Sequence, residues 1–319
     1  MRKFSYKSLA LTTALAAAAL VVVASPATWA AGSLEQPVAS DGSRIVVKNY
    51  AATMTSVPGN SGTDVEVVPV TDSASEFARV KALKGISRGA PKSIIGADTR
   101  FLVNPTTTYP ARAVVLITFS AGRCTGWMFG ANTVITAGHC VSPGNNTGFY
   151  PRTSFRIYPG RNGTVSPFGS CTAKSLHSVT GWTVSGSETA DYGAIKLNCT
   201  IGNTTGFFGA WWQTATLTGL FARVSGYPGD KPLTQWQSTG NIAVTQTNQI
   251  FYQNDTTGGQ SGGPVWQNRA STAAFCQGVC AMGIHAYGLH GVVPHSNNNH
   301  AKRITQTTFN NLIAWKNLP

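Results

Sequence analysis

Acidic side chains are scarce. Eleven Asp and Glu stand against 24 Lys and Arg in 319 residues, and beyond residue 92 the only acids are Asp98, Glu188, Asp191, Asp230 and Asp255. Any chemistry that needs a carboxylate there must draw on one of these five. The cationic surplus is scattered, with no basic run and no nucleic-acid motif, so no nucleic-acid partner is expected. No metal-ligand spacing, nucleotide loop or cofactor motif is read in the sequence, and no metal or cofactor is expected. No internal repeat occurs, and after the first thirty residues no run is apolar enough to span a bilayer.

The first thirty residues stand apart. Arg2, Lys3 and Lys7 precede the apolar run Leu9 to Ala24, and Pro26 leads to small residues near Ala30. A basic start, a short apolar centre and a small-residue exit make residues 1–30 a secretory signal peptide. The apolar run of sixteen residues is short of the about 20 that cross a membrane. A secreted, extracellular chain with no membrane association after signal removal is expected. An oxidising compartment assigns the six cysteines to three disulfides with no free thiol. Fifteen pairings are possible. Cys276 and Cys280, four apart in "CQGVC", close a local loop, Cys124 and Cys140 flank a strand-turn-strand stretch, and Cys171 is left with Cys199.

Residues 31–92 contain no cysteine and end in "SRGAPK", a basic, turn-forming stretch suited to a processing protease. They are expected to be a propeptide, with "SIIGADTR" opening the mature chain at Ser93. The remaining 227 residues are enough for one large core or two small ones. Short β-rich runs such as "RAVVLITF", "TVITAG", "YGAIKLN" and "GIHAYG" recur between glycine and proline punctuation, which argues for an all-β sandwich or barrel. One helix is expected at the end, where Thr305 or Thr308 caps "TTFNNLIAWKN" and Phe309, Leu312 and Ile313 share a face.

A hydroxyl is a weak nucleophile at neutral pH; to transfer an acyl group it needs a base for its proton and amides for the oxyanion. "GGQSGGP", residues 258–264, sets Ser261 behind glycines that let consecutive N–H groups turn to one point. Gly259 and Ser261 are the expected oxyanion donors. Of His139, His177, His285, His290, His295 and His300, only His139 ends a β run in small residues and a cysteine, "VITAGHC". Among the acids, Asp230 sits in the turn "YPGDKP", Asp98 lies near the new N-terminus, and Glu188 in "SGSET" reads as exposed. Asp191 opens the apolar strand "DYGAIKL", which would bury it, as a carboxylate that orients an imidazolium requires.

His139, Asp191 and Ser261 follow the chain order His, Asp, Ser of chymotrypsin-type proteases. "TAGHC", "DYGAIKL" and "GGQSGGP" resemble the three signature blocks of trypsin-like serine proteases. With "CTGWMFG", "PGRNGT", "SGYPGDK", "TQWQSTG" and "RITQTTFNNLIAWKN" also in order, residues 93–319 resemble the secreted bacterial glutamyl endopeptidases. The resemblance implies two antiparallel six-stranded β-barrels with a C-terminal helix. Residues 93–205 would supply the first barrel with His139 and Asp191, and residues 206–319 the second, with Ser261 and the specificity pocket. It also implies a monomer acting on polypeptide substrates. Cys124–Cys140 and Cys276–Cys280 match bridges of that family, whereas Cys171–Cys199 is an addition.

For specificity, the resemblance aligns His285 and Thr256 with residues that bind a substrate glutamate. Cleavage after Glu, and more weakly Asp, is therefore expected. Asp255 points to the alternative, because it holds the offset at which trypsin-like enzymes carry the aspartate that selects Lys or Arg. Gln260 replaces the aspartate that precedes the nucleophile in vertebrate enzymes and pairs with their new α-amino group. In the resembled family the freed N-terminus, here Ser93, instead lies near the pocket. An enzyme selecting glutamate would not cut after Lys92, so a separate processing protease is expected. A third reading is a cationic binding protein without catalysis on the same fold.

Overall fold

The computed structural model describes residues 33–64, 69–86 and 92–319; the expected signal peptide, and residues 87–91 of the expected processing site, lie outside the described residues. Among the described residues no helix is long and apolar enough to cross a membrane.

Twelve strands form two closed barrels. The first contains β1 (Val114–Phe119), β2 (Gly122–Gly130), β3 (Thr133–Thr136), β4 (Arg156–Pro159), β5 (Cys171–Val179) and β6 (Gly193–Leu197). The second contains β7 (Phe221–Gly226), β8 (Trp236–Thr245), β9 (Gln249–Tyr252), β10 (Pro264–Arg269), β11 (Gly278–Tyr287) and β12 (Asn299–Arg303). Around the first ring the order is β1-β2-β3-β6-β5-β4, and β4 returns to β1. The second ring repeats it as β7-β8-β9-β12-β11-β10, and β10 returns to β7. Every pairing in both rings is antiparallel, as expected from the sequence. Closure removes free strand edges. The β1 run "VVLITF", apolar but for Thr118, is buried along its whole length, the pattern of a strand covered on both faces. The three disulfides join the expected pairs.

The C-terminal helix spans Gln306–Lys316, and Thr305 is its cap, accepting the Thr308 N–H at 3.2 Å. Phe309, Leu312, Ile313 and Trp315 are buried, and each such burial is worth about 1.5–3 kcal/mol. Although it follows the second barrel in sequence, the helix packs on the first. Trp315 lies against the rings of His177 and Tyr192. Buried Lys196 of β6 donates to the carbonyls of Lys316 and Leu318 at 3.3 and 2.6 Å. A cation is favourable at a helix C-terminus. Burial, with Lys174 nearby, lowers the Lys196 pKa to about 8.

The residues before Ser93 wrap both barrels. Pro37–Ala39 pairs with β5, Ser56–Val57 with Gly209–Trp211 beside β11, and Val70–Thr71 with Val165–Ser166. They also bring acids to the acid-poor remainder of the chain. Glu35 accepts from buried Lys302 at 2.8 Å, and Asp72 pairs with buried Arg161.

Candidate active site

His139 lies in the turn Gly138–Cys140 that follows β3, and Asp191 lies two residues before the start of β6. Because β3 and β6 are neighbours, with Thr136 opposite Gly193, the ladder carries the two side chains together. Asp191 Oδ2 is 2.7 Å from His139 Nδ1, and Oδ1 accepts the His139 backbone N–H at 2.8 Å. Both residues are buried. Gripped at two points, the imidazole has one orientation, and its Nε2 has no hydrogen-bond partner.

Ser261 lies in the turn that leads into β10 and faces the first barrel. Thr125 of β2 donates its N–H to the Ser261 carbonyl at 2.9 Å and its hydroxyl to the Gly259 carbonyl at 2.8 Å. Glycine is required on both sides of this turn. Gly259 and Gly262 have φ of +101° and +88°, and a Cβ on Gly262 would meet Thr136 Oγ1 at 2.1 Å.

An earlier segment of the same chain occupies this site. The Gly259 N–H donates to the Ile86 carbonyl at 2.8 Å, and the Ser261 hydroxyl donates to the same oxygen at 3.2 Å. Ile86 is held in turn by the Arg123 carbonyl at 2.9 Å, and Arg123 N–H reaches the Lys84 carbonyl at 2.9 Å. A Cβ on Gly85 would fall 2.3 Å from the Gly258 oxygen, so only glycine lets the segment lie this close. Ser261 and His139 share no hydrogen bond in this form of the chain, because the hydroxyl is turned to Ile86.

Beside Ser261, a small polar cavity is lined by Ser93, Thr256, His285 and Gly288 among others. His285 is buried and its Nδ1 is 2.7 Å from the Tyr252 hydroxyl. Burial, aided by His300 and His139 nearby, lowers its pKa to about 3, so the ring is neutral. Ser93 reaches the cavity by pairing with Thr256, and its hydroxyl accepts the Leu289 N–H at 3.0 Å.

Asp255 turns away from this cavity. Its carboxylate accepts the N–H of Ile95 at 2.7 Å and the N–H and hydroxyl of Thr99 at 2.8 and 2.7 Å. Arg100, its side chain fully buried, forks to Asp98 at 2.8 Å and Asp230 at 2.7 Å and also donates to Thr257. Ile86, Tyr252 and Arg100 belong to the site yet carry no motif. The one available signal was the closeness of "SIIGADTR" to the processing site. Glu188, read as exposed, is instead half-buried among Gln249 and histidines.

A trypsin-like peptidase domain family model matches residues 124–272. The glutamyl endopeptidase of Bacillus licheniformis is 46% identical over 227 residues, 71% of this chain and 70% of that protein. The chain belongs to the glutamyl endopeptidase family. An extracellular metalloprotease of Bacillus subtilis is 38% identical over 242 residues, 73% of each chain. A solved Glu endopeptidase, in complex with MPD, superposes with a TM-score of 0.61 at 28% identity, covering 70% of this chain and all of that one. As a member of the glutamyl endopeptidase family, the protein is a serine endopeptidase acting on polypeptides, and the reading as a binding protein without catalysis is set aside.

Proposed function

We propose that the chain, once cut at Ser93, is a secreted monomeric endopeptidase that hydrolyses peptide bonds after glutamate, and more weakly after aspartate. His139, Asp191 and Ser261 form its catalytic triad. Ser261 attacks the scissile carbonyl while His139 Nε2 takes its proton, and Asp191 stabilises the resulting imidazolium. The N–H groups of Gly259 and Ser261 hold the oxyanion in the place that the Ile86 carbonyl takes in the uncut chain. His139 then protonates the leaving amine, and water hydrolyses the seryl acyl intermediate with His139 again as base.

The observation that carries the choice of glutamate is the direction of Asp255. Its three hydrogen bonds to Ile95 and Thr99 leave the cavity to neutral and donor groups. With the Tyr252 hydroxyl donating to His285 Nδ1, the ring proton sits on Nε2 and can be given, with the Thr256 hydroxyl, to a substrate carboxylate. A buried carboxylate without such donors would be costly. Cutting after Lys92 adds the positive α-amino group of Ser93 to the same cavity, which supports acid recognition. A separate protease makes that cut.

Cleavage of an unbiased peptide mixture by the cut chain tests the reading. Glutamate is expected before the cleaved bond; lysine or arginine there would overturn the specificity, and turnover by Ser261→Ala would overturn the nucleophile.

A further inference from the structure

Glu188, His290, His295 and His300 offer four ligand atoms that all lie within 4.8 Å of one another. Glu188 stands in the first barrel, three residues before Asp191. The histidines come from the loop after β11 and from β12 of the second. All three Nε2 atoms converge on the one carboxylate: His290 on Oε2 at 3.1 Å, His295 on Oε1 at 3.5 Å, and His300 hydrogen-bonded to Oε1.

Hydrogen bonds alone do not account for this convergence. His290 Nδ1 is 3.1 Å from the Gly288 carbonyl, which can only accept, so Nδ1 carries a proton. The Nε2 of a neutral His290 then turns a lone pair toward a carboxylate oxygen. A cation among the four groups would meet that lone pair and the carboxylate together. The three rings crowd one small volume, with centroids 5.1, 5.2 and 4.9 Å apart.

We propose that Glu188, His290, His295 and His300 bind one zinc(II) ion. Three imidazole nitrogens and one carboxylate oxygen are a borderline-soft tetrahedral donor set that suits zinc. Bonds of about 2.0–2.2 Å put tetrahedral ligands about 3.4 Å apart, close to the separations of His290 and His295 from Glu188. The outer contacts of His290 and Glu188 suit it as well. Gly288 fixes the His290 tautomer with Nε2 free to ligate, and Gln249 holds Glu188 Oε1 at 2.8 Å. All four positions are filled by the protein, which makes the site structural rather than hydrolytic. It joins the turn before Asp191 to the loop that follows the His285 strand, and so clips the two barrels together beside the cleft.

The test is isothermal titration of the metal-stripped full chain with zinc chloride, with melting curves and the visible spectrum of the cobalt(II) form. One saturable site per chain is expected, with a melting temperature raised by several degrees, reversal by EDTA and tetrahedral cobalt absorption. The pair His290→Ala and His295→Ala, which leaves the proposed catalytic residues in place, is expected to lose all of these while keeping its circular dichroism. If that pair does not fold, Glu188→Gln must weaken zinc binding at least tenfold. The proposal is overturned by the absence of a saturable site, by octahedral cobalt absorption, or by binding and a melting shift that survive these substitutions.

Discussion

Lys84–Ile86 and Ser93–Arg100 are close neighbours in the chain and both enter the cleft, but they are held differently. Lys84–Ile86 is fixed by backbone hydrogen bonds to Arg123 and Gly259. Ser93–Arg100 is fixed by ionised groups: Asp255 takes three of its hydrogen bonds, and buried Arg100 reaches Asp98 and Asp230. Hydrogen bonds to charged groups are roughly twice as strong as neutral ones. A cut between the two segments therefore separates a weakly held plug from a firmly held wall of the pocket. Three of the five acids beyond residue 92 are spent on that wall, a fourth holds His139, and the fifth is Glu188. The scarcity of acids in the sequence is thus matched by a defined partner for each one.

The sharpest way to break this contrast is to compare acylation of Ser261 in uncut and cut chains. With the proposed oxyanion donor, the Gly259 N–H, engaged by Ile86, the uncut chain is expected to react with a serine-directed fluorophosphonate about 10²- to 10³-fold more slowly, the factor that one such donor is worth. Gly85→Ala, whose Cβ would strike the Gly258 carbonyl, should speed labelling of the uncut chain about tenfold, equivalent to about 1.4 kcal/mol. Equal rates in cut and uncut chains would remove the plug.

On the other segment, Asp255→Asn is expected to lower kcat/KM of the cut chain on glutamyl peptides about 10- to 100-fold, the scale of charge-assisted hydrogen bonds. Cleavage after lysine or arginine should remain absent. A fall confined to basic substrates would instead make Asp255 the selector.

A smaller effect probes the seating of the segment before Ser93, whose Ala39 pairs with His177. Burial lowers the His177 pKa from 6.5 to about 4. Between those values the unfolded chain binds a proton that native His177 does not, so stability rises with pH across the window and is fully present above it. Acidification from pH 7 to 4 should lower stability by about 3 kcal/mol at this group. Melting curves of His177→Gln should show a shallower slope, as should the cut chain if the Pro37–Ala39 strand departs.

Much of the site was legible because its demands are local. Glycines around Ser261 answer to the φ values of its turn, and an apolar strand beside Asp191 answers to the burial of that carboxylate. The all-β class was legible from short β runs between turn residues, and the helix start was narrowed to Thr305 or Thr308. The direction of Asp255 was not, since an offset from the nucleophile says nothing of which backbone lies within reach of the side chain. Reading Glu188 as exposed failed for the same reason: its partners Gln249, His290 and His300 lie 61, 102 and 112 residues further along the chain.

Alone, the sequence determined which groups could do chemistry here: one imidazole, one carboxylate and one hydroxyl, each in a setting its neighbours prescribe. Tertiary structure decided which of them are engaged. The Ile86 carbonyl takes the Gly259 N–H, Asp255 holds Ile95 and Thr99, and Glu188 gathers three histidines. These are contacts between distant segments, set by how the barrels and the wrapped chain pack, and no local pattern of residues encodes them.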